Sequence, residues 1–209
     1  MINPAEICSR ARWDHLCASL NLTPDPEIYN ALIAAHAEAH RAYHTLDHIA
    51  ACLRHLDDVK DLANRPQEIE MALWFHDAVY EPFSTTNEED SAAWAAAWLR
   101  GHGAEAAVID RVRDYIIATK SHDAPATQDG QLMLDIDLSI LASPSEIFNI
   151  YETNIRREYR RVPKFIFRKK RKSILNEFLT RKQIYAHPYF HARWDGRARE
   201  NLRRAISAL

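Results

Sequence analysis

Residues 71–77, Met-Ala-Leu-Trp-Phe-His-Asp, end an unbroken apolar run on a histidine and an aspartate. Such a run carries its last residues into the interior, where an ionised carboxylate is costly unless it is paired or binds a metal. Adjacent residues on a helix are about 100° apart, so His76 and Asp77 can lean toward one point between two faces. A cation at that point would satisfy both, provided the rest of the chain supplies further ligands.

The fold that surrounds this segment is expected to be all-α. Four glycines in 209 residues argue against Rossmann and phosphate-loop folds, which need glycine where backbone approaches phosphate. No alternating Val/Ile/Thr-rich run bounded by turns reads as a strand. The length suits a single domain over 1–209 that buries a core without disulfides. Cys8, Cys17 and Cys52 show no zinc-type pairing and fit a reducing cytosol. No apolar run approaches a membrane span, and no basic segment followed by an apolar core opens the chain. A cytoplasmic protein without a membrane partner is the expectation.

Helix signals divide the chain. Asn3-Pro4 starts a helix reaching Leu20, and Pro26 starts another reaching His40. Further helices are expected over Thr45–Leu62, Gln67–Tyr80, Asn87 through Trp98, and Ala104–Ala118. A short buried helix follows over 132–141. The C-terminal part reads as helices over 145–161, 163–182 and from His187 to the end. His15, His36, His40 and His55 read as surface histidines. Trp94 and Trp98 read as exposed aromatics that would suit a homodimer interface, although the sequence does not fix the oligomeric state.

Charge is uneven. Residues 1–150 carry 10 Lys/Arg and 24 Asp/Glu, whereas residues 151–209 carry 17 and 5. The basic part either folds back on the acidic body or faces an anionic substrate. The Arg168–Lys172 run reads as a solvated helix face in preference to a nucleic-acid contact.

His44 and His48 stand four residues apart and project from one helical face. Asp135 and Asp137 interrupt a second apolar run and need partners there. With His76 and Asp77 these make a mixed nitrogen and oxygen set. It suits a divalent ion such as manganese, iron, cobalt, nickel or zinc, with magnesium also open, better than calcium. Such an ion would activate water near neutral pH.

Three strings carry a family resemblance: Arg41-Ala-Tyr43-His44-Thr-Leu-Asp-His48, Phe75-His76-Asp77-Ala-Val-Tyr80 and Asp135-Ile-Asp137-Leu138. In this order the chain resembles the HD-domain superfamily of metal-dependent phosphohydrolases, and within it a subgroup of small predicted phosphohydrolases. The resemblance covers about 40–142, leaving a basic helical extension over about 143–209. It implies one HD-type helical domain that hydrolyses a phosphate ester of a small phosphorylated substrate. It implies His48, His76, Asp77 and Asp137 as metal ligands. Tyr43 to His48 is also similar to a string of cyclic-nucleotide phosphodiesterases, by which His44 is a general acid, although Thr45 stands where that family has asparagine. Lys120, His122 and Arg41 are expected phosphate contacts. Glu88 is expected just outside the ligands, Asp135 is expected either as a cap or as a partner to a ligand histidine, and a second ion would be bridged by Asp77. Two other readings remain at this point: a non-catalytic nucleotide or phosphate sensor that keeps the metal site, and a nucleic-acid-binding protein using the basic region.

Overall fold

A computed structural model describes residues 3–121, 123 and 125–209. The described residues are helical with no strand. In order they form α1 (Pro4–Ile7), α2 (Arg10–Ser19), α3 (Pro26–His36), α4 (Leu46–Val59), α5 (Pro66–Phe75), α6 (Asn87–Gly101), α7 (Ala106–Ala118), α8 (Gln128–Asp137), α9 (Ser145–Glu158), α10 (Lys164–Thr180) and α11 (Pro188–Ala208). Short 3-10 turns, Lys60–Leu62 and Leu138–Ala142, follow α4 and α8.

The ends follow local chemistry. Proline opens α1, α3, α5 and α11, where its missing N–H costs nothing. The expected first helix is two helices, because Ser9 accepts from the Arg12 amide and restarts the chain. The second ends at His36, four residues early. The expected helix over 67–80 stops at Phe75, so His76 is its C-cap and Asp77 lies beyond it.

Helix α5 is the centre of the molecule. Ile69 and Met71 to Phe75 are fully buried, and α5 packs against α2, α4, α6, α7 and α8. Trp13 sits edge-on to Trp74 at 5.5 Å and lies 5.4 Å from Trp98. Phe75 meets Trp94 and Trp98 at 5.9 and 6.1 Å. Trp98 is therefore buried and Trp94 half-buried, so neither is the exposed aromatic expected. Burial of each such ring contributes about 2–3 kcal/mol. His36, read as a surface histidine, is buried as well.

Helices α9 and α11 close over the end of α8. Tyr185 donates to the Leu138 carbonyl at 3.0 Å, and Asn201 donates to the carbonyls of Leu141 and Ser143 at 2.8 Å. One continuous cluster of buried residues runs from Cys8 to Leu202. Several C-terminal cations pair within their own region, as Arg171 with Glu152 and Arg199 with Asp195. No helix among the described residues is long and apolar enough to cross a membrane.

Candidate metal centre

Three helix ends meet at one point. His48 lies in the first turn of α4, His76 caps α5, and Asp137 ends α8. His48 Nε2 is 3.1 Å from His76 Nε2 and 3.1 Å from Asp137 Oδ1. His76 Nε2 is 3.4 Å from the same oxygen. His48, His76 and Asp137 form a largely buried group that could hold a metal ion. Asp77 Oδ2 lies 3.1 Å from His76 Nε2 and 3.5 Å from His48 Nε2. Donors bound at about 2.0–2.2 Å to one ion stand roughly 3–3.5 Å apart, so these spacings fit a shared cation.

The tautomers support that fit. His76 Nδ1 is 2.9 Å from the Leu73 carbonyl, which can only accept. The proton is therefore on Nδ1, and in the neutral ring Nε2 presents a lone pair. His48 Nδ1 meets the Tyr43 hydroxyl at 3.1 Å; when Nδ1 donates in that bond, its Nε2 presents a lone pair as well. Two imidazole lone pairs and two carboxylate oxygens then face one another, an arrangement that demands positive charge. The titration directions express that demand. Burial opposes a charge on His76, yet Asp77 and Asp137 outweigh it and hold its pKa well above the ordinary value. Burial also opposes the Asp77 charge, yet His76 and His44 hold its carboxyl far below the usual range. Cys52 packs beneath His48, and burial keeps its thiol protonated.

His44 stands beside the group. Its Nδ1 donates to Glu158 Oε2 at 2.8 Å, and its ring stacks on Tyr80 at 4.1 Å. Burial works against protonation of His44, but Asp77 and the Glu158 bond prevail and raise its pKa. Glu158, the last residue of α9, also accepts from the amides of Ala42, Tyr43 and His44 and from the Tyr80 hydroxyl. Burial pushes the Glu158 pKa up, but the His44 and amide bonds bring it down to about 2. The sequence reading missed Glu158. Its one local sign was an acid at a helix C-terminus, where the helix dipole disfavours it, between two arginine pairs.

The remaining expected residues divide. Arg41 is not a phosphate contact. Its guanidinium is buried and donates to the carbonyls of Asp77 at 2.6 Å and Ala78 at 3.0 Å and to Glu38. It fixes the backbone that carries Asp77. Asp135 does not support a ligand histidine. It accepts from the amides of Ala186 at 2.8 Å and His187 at 2.7 Å, anchoring the start of α11, while burial pushes its pKa up to about 7. Lys120 pairs with Glu89 and donates to the Thr85 carbonyl. His122 lies outside the described residues.

His44, Asp77 and Asp137 open into a cleft of about 720 Å³. Glu88 and the cations Lys120, Lys170, Arg171 and Arg181 line it, together with an apolar and aromatic wall that includes Phe83, Ile155, Tyr159 and Phe178. Compared with protein-family models, curated proteins and solved structures, the chain matches none.

Proposed function

We propose that the chain is a metal-dependent phosphohydrolase of HD-domain type, acting on a small phosphorylated substrate. The observation that carries this reading is the convergence of two imidazole nitrogens and two carboxylate oxygens at 3.1–3.5 Å beside a cleft lined by four cations. His48, His76, Asp77 and Asp137 would hold the ion. When bound, a divalent ion supplies Lewis acidity and lowers the pKa of water. Lys120, Lys170, Arg171 and Arg181 attract the phosphate and neutralise its charge. With Nδ1 of His44 committed to Glu158, Nε2 is the nitrogen left to protonate the leaving oxygen. Tyr80, stacked on the ring, limits its rotation. If a second ion is taken up, Asp77 would help hold it, with Glu88 on the same cleft.

Metal content and turnover of aryl phosphomonoesters and phosphodiesters, measured together, test this reading. The wild type is expected to carry about one or two transition-metal ions per chain and to turn over one of the ester classes. Asp137→Ala should lose metal and activity while its circular dichroism stays helical. A protein that takes up no manganese, iron, cobalt, nickel or zinc removes the basis of the proposal. Stoichiometric binding of a phosphorylated ligand without turnover would make it a sensor.

A further inference from the structure

Three of the largest exposed apolar side chains gather at one corner. Phe165 and Ile166, at the head of α10, are 74% and 48% exposed, and Phe83, in the loop before α6, is 62% exposed. Aromatic contacts tie the corner together: Phe83 lies 6.1 Å from Tyr159, which lies 6.3 Å from Phe167. Phe83 and Ile166 both line the mouth of the cleft. Single exposed apolar residues are ordinary, but this group continues into an unusual charge distribution.

From Tyr159 to Asn176 the chain has eight Lys/Arg and no Asp/Glu. Arg171 turns inward to Tyr151 and Glu152. The other seven are exposed, and no ion pair among the described residues engages them. Along α10, Phe165, Arg168, Lys169 and Lys172 recur at helical spacing of three and four. Leu175 is buried and Phe167 half-buried on the inner side. The outer side is thus an apolar tip running into a ladder of cations. The chain outside this run has 19 Lys/Arg against 29 Asp/Glu. The excess of acid lies in residues 1–150, with 24 Asp/Glu against 10 Lys/Arg, so an anionic surface would repel that side and attract this one.

We propose that the outer face of α10, with Phe83 beside it, docks on an anionic lipid bilayer. Cations attracted to acidic headgroups and bulky apolar side chains placed at the headgroup boundary are the two elements of interfacial binding. A nucleic acid would use the cations but would leave Ile166, which has no ring to stack on a base, without a partner. Docking here turns the mouth of the cleft toward the headgroups. It is peripheral, distinct from crossing the bilayer, and does not depend on the metal centre.

The test is sedimentation of the full-length protein with vesicles of phosphatidylcholine alone or with roughly one third phosphatidylserine, across a salt series. Capture by the anionic vesicles at low salt, with little by the neutral ones, is expected. Lys169→Glu/Lys172→Glu and Phe165→Ser should each reduce it about 10-fold or more. Arg160→Glu/Arg161→Glu, ahead of the helix, is a second charge variant should the first alter the circular dichroism. No capture at low salt, equal capture by both vesicles, or wild-type capture by a well-folded charge variant overturns the proposal. So does tighter binding to an oligonucleotide that Phe165→Ser leaves unchanged, which would make the face a nucleic-acid surface.

Discussion

Replacing Glu158 by glutamine changes one atom and disturbs five hydrogen bonds. In the wild type Oε1 accepts from the amides of Ala42 at 2.7 Å, Tyr43 at 2.7 Å and His44 at 3.1 Å. Oε2 accepts from His44 Nδ1 at 2.8 Å and from the Tyr80 hydroxyl at 2.8 Å. Glutamine keeps its oxygen for the amides, but those bonds lose their charge assistance. Its amide nitrogen faces two donors, so His44 must change tautomer and Tyr80 must turn. Bonds to charged groups contribute about 1.5–3 kcal/mol and neutral ones about 0.5–1.5, so the net loss is about 3 kcal/mol. At about 2–4 °C per kcal/mol for a chain of this size, the melting temperature should fall by about 6–12 °C. The pH dependence has a definite sign. The folded carboxyl, at about 2 against an ordinary 4.5, binds a proton less readily than the unfolded one. The carboxyl's contribution is therefore complete above pH 4.5 and declines as pH falls toward 2, while the part owed to its bond with protonated His44 declines as pH rises through that histidine's raised pKa. Thermal melts from pH 7 down to 3 measure this, and turnover on an aryl phosphoester should show kcat reduced about 100-fold with KM little changed. A melting difference below about 2 °C at pH 7, or one that does not shrink in acid, would refute the reasoning.

Metal at about 100 times its dissociation constant should stabilise the wild type by about 2.7 kcal/mol, or roughly 5–10 °C. In His76→Ala calorimetry should show no such shift. Arg41→Ala should lower stability by about 2–4 kcal/mol, because the carbonyls of Asp77 and Ala78 lose their donor. Arg41→Lys should restore only part of that, since one ammonium cannot reproduce the forked contact, and metal titration should show weakened affinity in both. Asp129→Ala, which removes the acceptor for the amides of Asn64 and Arg65, should cost about 2 kcal/mol in urea unfolding while leaving metal content unchanged.

What the sequence revealed was whatever repeats at short range. The apolar face of α4, the buried run of α5 and the prolines that open helices are local patterns, and each marked a helix that is present, although α1, α3 and α5 end earlier than expected. His44, His48, His76, Asp77, Asp135 and Asp137 stood out as ionisable residues in apolar contexts that make a charge expensive; the choice among them came from the family resemblance, and the fold brings His48, His76 and Asp137 into one group that could hold an ion. The misread residues have partners far along the chain. Asp135 is claimed by Ala186 and His187, 51 and 52 residues away, which bears out the capping alternative and not a tie to a ligand histidine. Arg41 was read by its charge, whereas its partners are backbone carbonyls 36 and 37 residues on. Glu158 reaches His44 across 114 residues. Trp98 was read as exposed because a helix with alanine on several sides does not announce which face it buries.

The Glu158 carboxylate also decides which parts of the molecule open together. The amides of Ala42 to His44 belong to a loop, and loop amides usually exchange with solvent through small local fluctuations. Here their protons are held by a side chain at the end of α9. Releasing any one of them means withdrawing Glu158 from all three and from His44. These protons should therefore exchange as slowly as those of α9, with both segments unzipping in one event. A chain cut before α9 would lose this clasp, and with it the Tyr185 bond to the Leu138 carbonyl and the packing of α9 and α11 behind the end of α8. The helices after residue 143 are, in this sense, part of the site's folding unit, although none of the four proposed ligands comes from them.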